Sequence, residues 1–464
     1  MSENNYKKAG TLYLVGNVFN KGIAFLTVPI FTRILSTADY GIVTTYNSWI
    51  GILSMIMGFA LHMSVRMASV DYKEKIDDFM SSIILFICLS SLGSIVVVAS
   101  CMKLLNINGN IFLVVICMLQ AFATATIEDY SSYLMMQYRY KARTSLMILP
   151  NFISVVISII AIKFVLEKDL YLGRIIPTAI ITTIFGIMVM ILVLRKGKLQ
   201  INKQYIRYAM AISAPLILHG IALNVLSQSD RIMITLLADS SQTGIYSLIY
   251  NFSMIATVIT TTLEGIWVPW FINKLKVGSR NEISVVAKDY IHLMTYAMVS
   301  LILVAPEVVK ILANENYWEG ISIIPPVVLS NFVVFSYSLY VNIEHYYKKT
   351  PYITLNTVIA ATSNIILNFI FIPRFGYVAA AYTTLTSYII SFTLHSRYAR
   401  KLEPDLYPLR QFIRPLFNLL VVTVLFYVFK EQFVIRWTLL IVYIIAMFYK
   451  ERNRLKFYFP GLSF

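Results

Sequence analysis

The amino-acid sequence predicts an all-α polytopic membrane protein with about 14 transmembrane helices, built as two pseudo-symmetric six-helix lobes plus a C-terminal helix pair. Composition and hydrophobic pattern both predict this class. Of the 464 residues, 58% are hydrophobic and 13% are charged, and the mean hydropathy is +0.71. Soluble proteins carry about a quarter charged residues. The pattern is a series of long apolar runs, and a helix that spans a bilayer needs about 20 such residues.

Fourteen apolar runs bounded by polar residues are long enough to be membrane spans. They lie at about 9–32, 41–66, 79–100, 110–137, 145–165, 173–194, 208–230, 244–271, 289–312, 321–343, 352–372, 378–396, 410–429 and 433–450. Fourteen helices of this kind use about 280 residues, which agrees with the hydrophobic share of the chain. The first run is too long for the core of a signal peptide, so we expect it to be retained as a span.

The distribution of positive charge gives the predicted orientation. The net charge is +16, from 39 Lys and Arg against 23 Asp and Glu. With the N-terminus placed in the cytoplasm, 28 of these cations fall inside, 10 fall outside, and Lys21 lies within the first span. This bias follows the positive-inside rule and predicts that both termini are cytoplasmic. Loops that face an anionic leaflet account for the excess charge, so we expect no nucleic-acid partner.

Two pairs of segments match at one offset of 203 residues and indicate an internal repeat. RILSTADYGI (33–42) matches LLADSSQTGI (236–245), and LYLGRIIPTAIITT (170–183) matches IPRFGYVAAAYTTLT (372–386). We therefore predict an N-terminal lobe at 1–202, a C-terminal lobe at 203–404, and a final helix pair with a basic tail at 405–464. Repeats with an even number of spans are related by an axis along the membrane normal, with a binding site at their interface.

No motif for enzymatic chemistry is present, and the repeat organisation favours a transporter. The sequence contains no GxxxxGK[ST], GxGxxG or HExxH pattern. We therefore expect that the protein is not an enzyme and has no cofactor, and that transport is driven by H⁺, by Na⁺ or by the gradient of the substrate. Cys88, Cys101 and Cys117 have no paired spacing and are expected to be small core residues without a metal or a disulfide framework.

Lys21 is the most informative ionisable residue, because it lies near the middle of the first span. It is next to Asn20 and one turn from Asn17. A charged group at this depth costs a few kcal/mol and usually faces an aqueous cavity. The alternative is an ammonium group bonded to carbonyls within packed helices.

The second span carries small and polar residues at four-residue steps, which would share one helical face. They are Ser54, Gly58, His62 and Arg66. The stripe is typical of a cavity wall, with Arg66 near the cytoplasmic mouth. It is also compatible with a packing seam of small residues, in which case Arg66 is an anchor at the membrane surface.

The eighth span carries a longer stripe at three- and four-residue steps. Its members are Tyr246, Tyr250, Ser253, Thr257, Thr260, Glu264 and Trp267. Hydroxyl groups and aromatic rings suit the polar rims and C–H faces of sugars. Glu264 is a candidate for ion coupling, and the alternative is a local salt bridge.

The remaining candidates are charged neighbours in three other places. Glu128 and Asp129 interrupt the fourth span and suggest proton coupling, a pairing with Lys21, or an interhelical hydrogen bond. Arg231 follows Asp230 at the end of the seventh span, and Arg33 lies at the end of the first. The two arginines suit anion guidance at the outer rim of the two lobes, although Asp230 and Arg231 could also form a simple ion pair.

Three hairpin segments resemble a known family. PIFTRILSTADYGIVTTYNSW (29–49), SDRIMITLLADSSQTGIYSLIYNFS (229–253) and NFIFIPRFGYVAAAYTTLTSYI (368–389) are similar to segments of bacterial polysaccharide repeat-unit flippases of the Wzx type. These flippases form the polysaccharide transporter branch of the multidrug/oligosaccharidyl-lipid/polysaccharide exporter superfamily. The resemblance runs over nearly the whole chain in the same order.

The resemblance implies a flippase of the bacterial inner membrane for undecaprenyl-pyrophosphate-linked oligosaccharide units, which serve O-antigen, capsule or exopolysaccharide assembly. It implies alternating access of a cationic central cavity, with Lys21, Arg66, Arg231 and Arg33 as cavity cations by location. Asn17, His62, Tyr246, Tyr250 and Thr257 would add polar and aromatic groups. A lysine on the first helix supplies a point charge without the fork of an arginine. The implied partners are the lipid-linked substrate, membrane lipids, a polysaccharide polymerase and a chain-length regulator.

Three other functions remain open at this point. A drug or small-molecule cation antiporter could have the same fold. Cationic drugs favour an acidic cavity, so the positive charge of Lys21 argues against this function. A membrane polysaccharide polymerase or ligase usually carries a large external loop, and none is predicted here. A structural scaffold is disfavoured by the charges within the spans.

Overall fold

The structure is a computed structural model that describes Gly22 and residues 25–105 and 110–458, with only the backbone described at 215–216 and 451–458. Within these ranges every regular element is helical and no strand occurs. The predicted site residues Asn17 and Lys21 lie outside the described residues. The chain divides into two compact units, Met1–Gly244 and Ile245–Phe464.

The first unit contains eight helices and the beginning of a ninth. They are α1 (Phe25–Ile34), α2 (Thr37–Met57), α3 (His62–Asp71), α4 (Ile76–Leu104), α5 (Ile111–Met136), α6 (Tyr140–Ile160), α7 (Leu172–Leu194), α8 (Lys203–Leu237) and α9 (Ser240–Phe252). A short 3₁₀ turn precedes α4 at Lys73–Lys75, and a π-helical turn extends α6 over Ala161–Val165.

The second unit contains the rest of α9 and six further helices. They are α10 (Met254–Lys276), α11 (Arg280–Leu312), α12 (Ile324–Tyr346), α13 (Thr350–Leu402), α14 (Arg410–Val428) and α15 (Phe433–Tyr458). A 3₁₀ segment, Glu315–Ile323, leads into α12.

The described helices correspond to the predicted spans. Eleven of them are long and apolar enough to cross a membrane, and the bent α8 raises the number to 12. The 53-residue α13 holds two helices, because Gly376 has φ 58° and ψ −145°, outside the helical region. This break separates the predicted spans at 352–372 and 378–396. Most of the predicted span at 9–32 lies outside the described residues. The all-α polytopic class is confirmed.

Side-chain placement has the polarity expected in lipid. Val96 and Phe164 are more than 60% exposed, and hydroxyl groups are buried instead. Thr126, Ser158 and Ser387 each donate to the carbonyl oxygen four residues earlier. In hydrocarbon a hydroxyl group must find a partner within the protein, and small polar residues let helices approach closely. The exposed apolar side chains and the buried, hydrogen-bonded hydroxyl groups therefore support a membrane environment.

The second span is not one continuous helix. Gly58 ends α2, and Phe59 and Ala60 have φ values of 50° and 49°, so the helical register is interrupted before α3. A Cβ on Gly58 would lie 2.6 Å from the Cβ of Ala125, which shows how closely α5 packs at the break. The predicted continuous face of Ser54, Gly58, His62 and Arg66 is therefore wrong: Ser54 and Gly58 lie one turn apart at the end of α2, and His62 and Arg66 lie one turn apart on α3, with the break between the two pairs.

The beginnings of α2 and α9 meet at a reciprocal glycine contact inside the first unit. A Cβ on Gly41 would lie 1.7 Å from the carbonyl oxygen of Ser240, and one on Gly244 would lie 2.1 Å from that of Thr37. The two glycines, and likewise Thr37 and Ser240, are 203 residues apart, which is the offset of the sequence repeat. The residues that match in sequence thus contact each other in a two-fold manner.

Candidate functional site

A ladder of polar side chains joins α2 to α8 in the first unit. The hydroxyl groups of Thr45 and Thr235 lie 2.6 Å apart, and Ser48 donates to Oε1 of Gln228 at 3.1 Å. Nη1 of Arg231 donates to the same Oε1 at 3.1 Å and to a backbone carbonyl one turn earlier. The Arg231 side chain is only 7% exposed. The guanidinium group is therefore held within the packing of the first unit, with Gln228 and the carbonyl oxygen of Ser227 among its acceptors.

His62 and Arg66 lie one turn apart on α3, and both are half-buried. Nε of Arg66 is buried and has no hydrogen-bond partner among the described residues. A buried donor without a partner costs about 1–3 kcal/mol, so this nitrogen is suited to receive an anionic oxygen. Arg66 therefore has the geometry expected of an anion-binding cation.

A further half-buried cation, Arg174, was not selected from the sequence because the predicted topology placed it on the external side. Its guanidinium carbon lies 4.4 Å from the ring centroid of Phe31, and Nη1 donates to the hydroxyl of Ser158 at 3.3 Å. A cation over an aromatic face is stabilised by the quadrupole of the ring. The only signal in the sequence was the aromatic ring of Phe31 in an apolar segment, which can stack with a cation.

The two adjacent carboxylates of α5 have different surroundings. Asp129 is 2% exposed, and its Oδ2 has no hydrogen-bond partner among the described residues, whereas Glu128 is exposed. An isolated ionised carboxylate is costly in an apolar interior. Asp129 is therefore suited to hold a proton or a cation.

The stripe of α9 and α10 divides into a packed part and an accessible part. Four members spaced seven residues apart are buried in the second unit: Tyr246, Ser253, Thr260 and Trp267. Tyr250 and Glu264 are half-buried and Thr257 is exposed, with its hydroxyl 3.4 Å from Oδ1 of Asn331. Since Tyr246 is fully covered, the accessible part of the predicted sugar-binding stripe consists of Tyr250, Thr257 and Glu264.

A buried titratable pair that the sequence reasoning missed links α12 to α13. Oε2 of Glu344 lies 2.8 Å from Nδ1 of His395, and the two side chains are 0% and 1% exposed. The ring of Tyr337 stacks on the imidazole at a centroid distance of 5.6 Å. Oε1 of Glu344 has no hydrogen-bond partner among the described residues. The sequence signal was a charged residue next to the end of the predicted span at 321–343, a position that normally indicates only an anchor at the membrane surface.

A second buried network joins the two helices of α13. Asn368 donates to Oδ1 of Asn364 at 3.1 Å, and Asn364 donates to the hydroxyl of Thr384 at the same distance. The hydroxyl of Thr383 donates to Oδ1 of Asn368. Such networks hold helices together where no water competes. No group of three or more His, Cys, Asp or Glu side chains suited to a metal ion occurs in the described part of the chain.

The amino-acid sequence of this helical chain matches a known family. A family model described as polysaccharide biosynthesis protein matches residues 7–274, more than half of the chain. The chain belongs to this family. No curated protein sequence matches it.

Three solved structures with a similar fold are named as a flippase and as transporters. The fold of this chain is similar to that of the lipid II flippase MurJ in an inward closed conformation, with a TM-score of 0.74 and 15% identity over 96% of this chain and 100% of that chain. An inward-facing multidrug resistance MATE family transporter of the MOP superfamily has a TM-score of 0.61 and 12% identity, over 83% of this chain and 95% of its own. A MOP superfamily transporter from Pyrococcus furiosus has a TM-score of 0.52 and 13% identity, over 86% of this chain and 96% of that chain.

The predicted cavity cations have unlike surroundings. Arg33 is exposed, Arg66 is half-buried with its unpartnered Nε, and Arg231 is buried and donates to Gln228. Lys21 and Asn17 lie outside the described residues. The assignment of these residues to one substrate cavity stays a prediction, with Arg66 best suited by its local geometry.

Proposed function

We propose that this protein is a flippase that moves undecaprenyl-pyrophosphate-linked oligosaccharide repeat units across the bacterial inner membrane for cell-surface polysaccharide assembly. The observation that carries the proposal is the fold. This chain belongs to the polysaccharide biosynthesis family, and its fold is similar to that of a lipid II flippase over 96% of its length. O-antigen, capsule and exopolysaccharide are the polymers that such units build. The fold neighbours are named as a flippase and as transporters, which supports transport over polymerase or ligase chemistry.

The physical problem for such a substrate is its headgroup. A pyrophosphate with about two negative charges and a hydrated glycan cannot enter hydrocarbon unaided. Cations that line an aqueous cavity bind phosphate oxygens through charge-assisted hydrogen bonds. The buried, unpartnered Nε of Arg66 supports this role, with His62 one turn away. The polyprenyl tail remains in lipid while the two lobes rock and change the side to which the cavity opens.

Resetting the empty carrier requires an energy source, which we assign to H⁺ or Na⁺ entry. The buried carboxylate of Asp129 and the Glu344–His395 pair support this part of the proposal, together with the half-buried Glu264. A carboxyl group in a dry interior is stable when protonated or paired, and it ionises when water or a cation reaches it. Its protonation is therefore linked to the opening of the protein.

Substitution of Lys21 tests the transport mechanism. We expect Lys21→Ala to abolish glycan export, because a cavity without this cation holds the pyrophosphate poorly. The measurements are surface polysaccharide by immunoblot and lipid-linked glycan that accumulates in the cytoplasmic leaflet. Lys103→Ala, which removes an exposed cation at the end of α4, is the matched control. Normal export by Lys21→Ala at wild-type membrane levels would remove Lys21 from the mechanism.

The similarity to MATE transporters favours one second candidate, an antiporter of drugs or other small cations. Depletion of the protein distinguishes the two functions. A flippase leaves lipid-linked glycan in the cytoplasmic leaflet and drug resistance unchanged, whereas an antiporter lowers resistance and leaves glycan export intact.

We place the protein in the bacterial inner membrane with both termini in the cytoplasm, and we propose a polysaccharide polymerase and a chain-length regulator as partners. The positive-inside distribution supports the orientation. A polymerase is the enzyme class that consumes the repeat unit once it reaches the outer leaflet.

A further inference from the structure

Glu344 and His395, here called the buried pair, are shielded from water. Their side chains are 0% and 1% exposed, and Oε2 of Glu344 lies 2.8 Å from Nδ1 of His395. Without a proton, a carboxylate oxygen and a ring nitrogen are both acceptors, so a hydrogen bond between them needs one. The buried pair therefore holds one proton, whether it is a neutral acid beside a neutral base or a carboxylate beside an imidazolium.

Among the described residues, no further ion pair reaches the buried pair. His345 of α12 and Tyr398 of α13 interact with it electrostatically. The cations nearest in sequence, Lys348 and Arg397, are exposed. In the described part of the chain, no hydrogen bond or ion pair joins the buried pair to α10, α11 or α14. Loss of its proton would leave an uncompensated charge in a dry interior, which is costly.

The contacts of the buried pair suit a proton better than a metal cation. Nδ1 of His395 contacts Oε2 of Glu344, and Nδ2 of Asn356 lies 3.5 Å from the same Nδ1. Oε1 of Glu344 is the oxygen of the buried pair that has no hydrogen-bond partner among the described residues. Hard cations bind several oxygen ligands, so one oxygen is too few for Na⁺. It is enough to accept a hydrogen bond from an entering water molecule.

Tyr337 relates the buried pair to the accessible part of the stripe of α9 and α10. Its ring stacks on the imidazole of His395, with 5.6 Å between the centroids and 19° between the planes. Tyr337 also interacts electrostatically with Glu264 and Tyr250. Glu264 is half-buried, so Tyr337 contacts the buried pair and interacts with a carboxyl group that water can reach.

The depths of these groups in the membrane are ordered. Glu264 and Tyr337 lie about two turns before the ends of their predicted spans, and the buried pair lies at span ends; the spans are 244–271, 321–343 and 378–396. The predicted topology places these ends at the cytoplasmic surface. A proton at Glu264 is therefore about two helical turns deeper in the membrane than a proton on the buried pair.

We propose that the buried pair is the proton-binding site through which the second unit couples transport to H⁺, and that Tyr337 positions its imidazole. This inference rests on the proposed transport function. When water reaches the buried pair from the cytoplasmic end, the proton passes to that water and leaves a carboxylate and a neutral imidazole. A proton from the carboxyl group of Glu264 then restores the buried pair through water, and Glu264 takes its next proton from the external side. One H⁺ moves inward in each cycle, and Na⁺ takes no part.

A neutral double variant separates the proton from the hydrogen bond. In Glu344→Gln/His395→Gln one amide can donate to the other, so the contact is kept and the titratable groups are removed. We expect wild-type export of surface polysaccharide to fall when an ionophore that exchanges K⁺ for H⁺ collapses the pH gradient, because one coupled proton converts one pH unit into about a tenfold factor. The double variant should export slowly and without a response to the ionophore. His345→Gln, at the exposed neighbouring position, is the matched control and should respond like the wild type.

The positioning role of Tyr337 has its own test. Tyr337→Phe keeps the ring that stacks on the imidazole and should keep the dependence of export on external pH. Tyr337→Leu removes the ring and should shift the external pH at which export is half-maximal. An unchanged pH profile in Tyr337→Leu at equal membrane levels would show that the stacked ring does not position the imidazole.

Unfolding midpoints of the full-length protein in lipid nanodiscs test the site without transport. Replacing K⁺ by Na⁺ should leave the wild-type midpoint unchanged. Glu344→Gln alone should lose more stability than the wild type as the pH falls, because a buried imidazole without its carboxylate must stay neutral. A rise in Na⁺ that is absent from the double variant would assign the site to Na⁺, and equal acid sensitivity of Glu344→Gln and the wild type would remove the proton from the buried pair.

Two transport outcomes would also overturn the proposal. They are a loss of wild-type export in Na⁺-free medium and a full response of the double variant to the ionophore. If depletion of the protein leaves surface polysaccharide unchanged, the proposed function itself fails, and the unfolding midpoints still decide whether the buried pair binds a proton.

Discussion

Adjacent side chains on α5 differ in their surroundings, because successive residues of an α-helix point about 100° apart. Asp129 turns into the first unit and is 2% exposed, while Glu128 turns outward. Both were candidates for ion coupling from the sequence. Only Asp129 is buried, so only its protonation would depend on whether the protein is open to water.

The pair provides its own matched test. We expect Asp129→Asn, which keeps the shape and removes the titratable group, to reduce export about tenfold or more, as expected for a functional charge within a membrane. Glu128→Gln should change export by less than about twofold, since exposed substitutions have small effects. Export is followed as surface polysaccharide at equal membrane levels of the protein. Equal effects of the two substitutions would exclude Asp129 as the coupling group.

Glu403 follows the last residue of α13 and accepts two hydrogen bonds from Arg280. Oε2 lies 2.7 Å from Nε and Oε1 lies 2.8 Å from Nη2, while the hydroxyl of Tyr347 donates to Oε1 at 2.6 Å. The bonds from Arg280, and then the bond from Tyr347, lower the pKa of Glu403 against the opposing effect of burial. The carboxylate bond also raises the pKa of Tyr347.

This shift predicts how stability depends on pH. Since the pKa of Glu403 is lower in the folded state, its contribution is fully present above the ordinary value of 4.5 and is lost as the pH falls through the folded pKa. Glu403→Gln should therefore lower the unfolding midpoint at pH 7 and flatten its decline toward pH 3. The control is Glu282→Gln in the exposed pair with Lys274. A decline of unchanged steepness in Glu403→Gln would refute the assignment.

At the scale of elements, the crossing of α2 and α9 depends on glycine. Gly41 and Gly244 let two backbones approach closely, and the hydroxyl groups of Thr37 and Ser241 lie 2.6 Å apart beside them. Ser36 caps α2 by accepting from the backbone N–H of Asp39. The cap and the two glycines together determine where α2 begins and what it packs against.

An alanine at either glycine should separate these helices. A Cβ on Gly41 would lie 1.7 Å from a carbonyl oxygen, so we expect Gly41→Ala to cost about 1–3 kcal/mol or more of stability. Gly93→Ala on α4 meets no atom within 4 Å and should be neutral or stabilise by less than about 1 kcal/mol. Unfolding midpoints in detergent give the comparison. A Gly41→Ala protein as stable as Gly93→Ala would contradict the close crossing.

At the scale of the whole molecule, described helices occupy thirteen of the fourteen predicted spans, and α1 overlaps the end of the first. Hydropathy locates spans well because each must satisfy its backbone hydrogen bonds internally over a fixed thickness of hydrocarbon. The charges in the loops then predict orientation independently of the helices.

The orientation can be tested with the native cysteines. Cys101, near the end of α4, is exposed and predicted to be external, whereas Cys117 is buried in α5. We expect a membrane-impermeant maleimide to label Cys101 in intact spheroplasts, and to label Cys117 only after denaturation. In a Cys101→Ser background, Arg397→Cys near the end of α13 should be labelled only after permeabilisation. The opposite pattern would invert the topology.

The sequence by itself determined the class of the protein, the positions of its spans and its family, because these depend on composition, periodicity and local motifs. The repeat offset of 203 also predicted which residues would be equivalent, and Gly41 and Gly244 indeed meet. Which polar residues are accessible was decided by tertiary packing. Phe59 and Ala60, which have left-handed φ, interrupt the polar stripe of the second span. In the stripe of α9 and α10, every seventh residue packs into the second unit, so Tyr246 and Trp267 are buried. The pairing of Glu344 with His395, 51 residues away, depended on the contact of α12 with α13, since only packing determines which charges in different helices become neighbours.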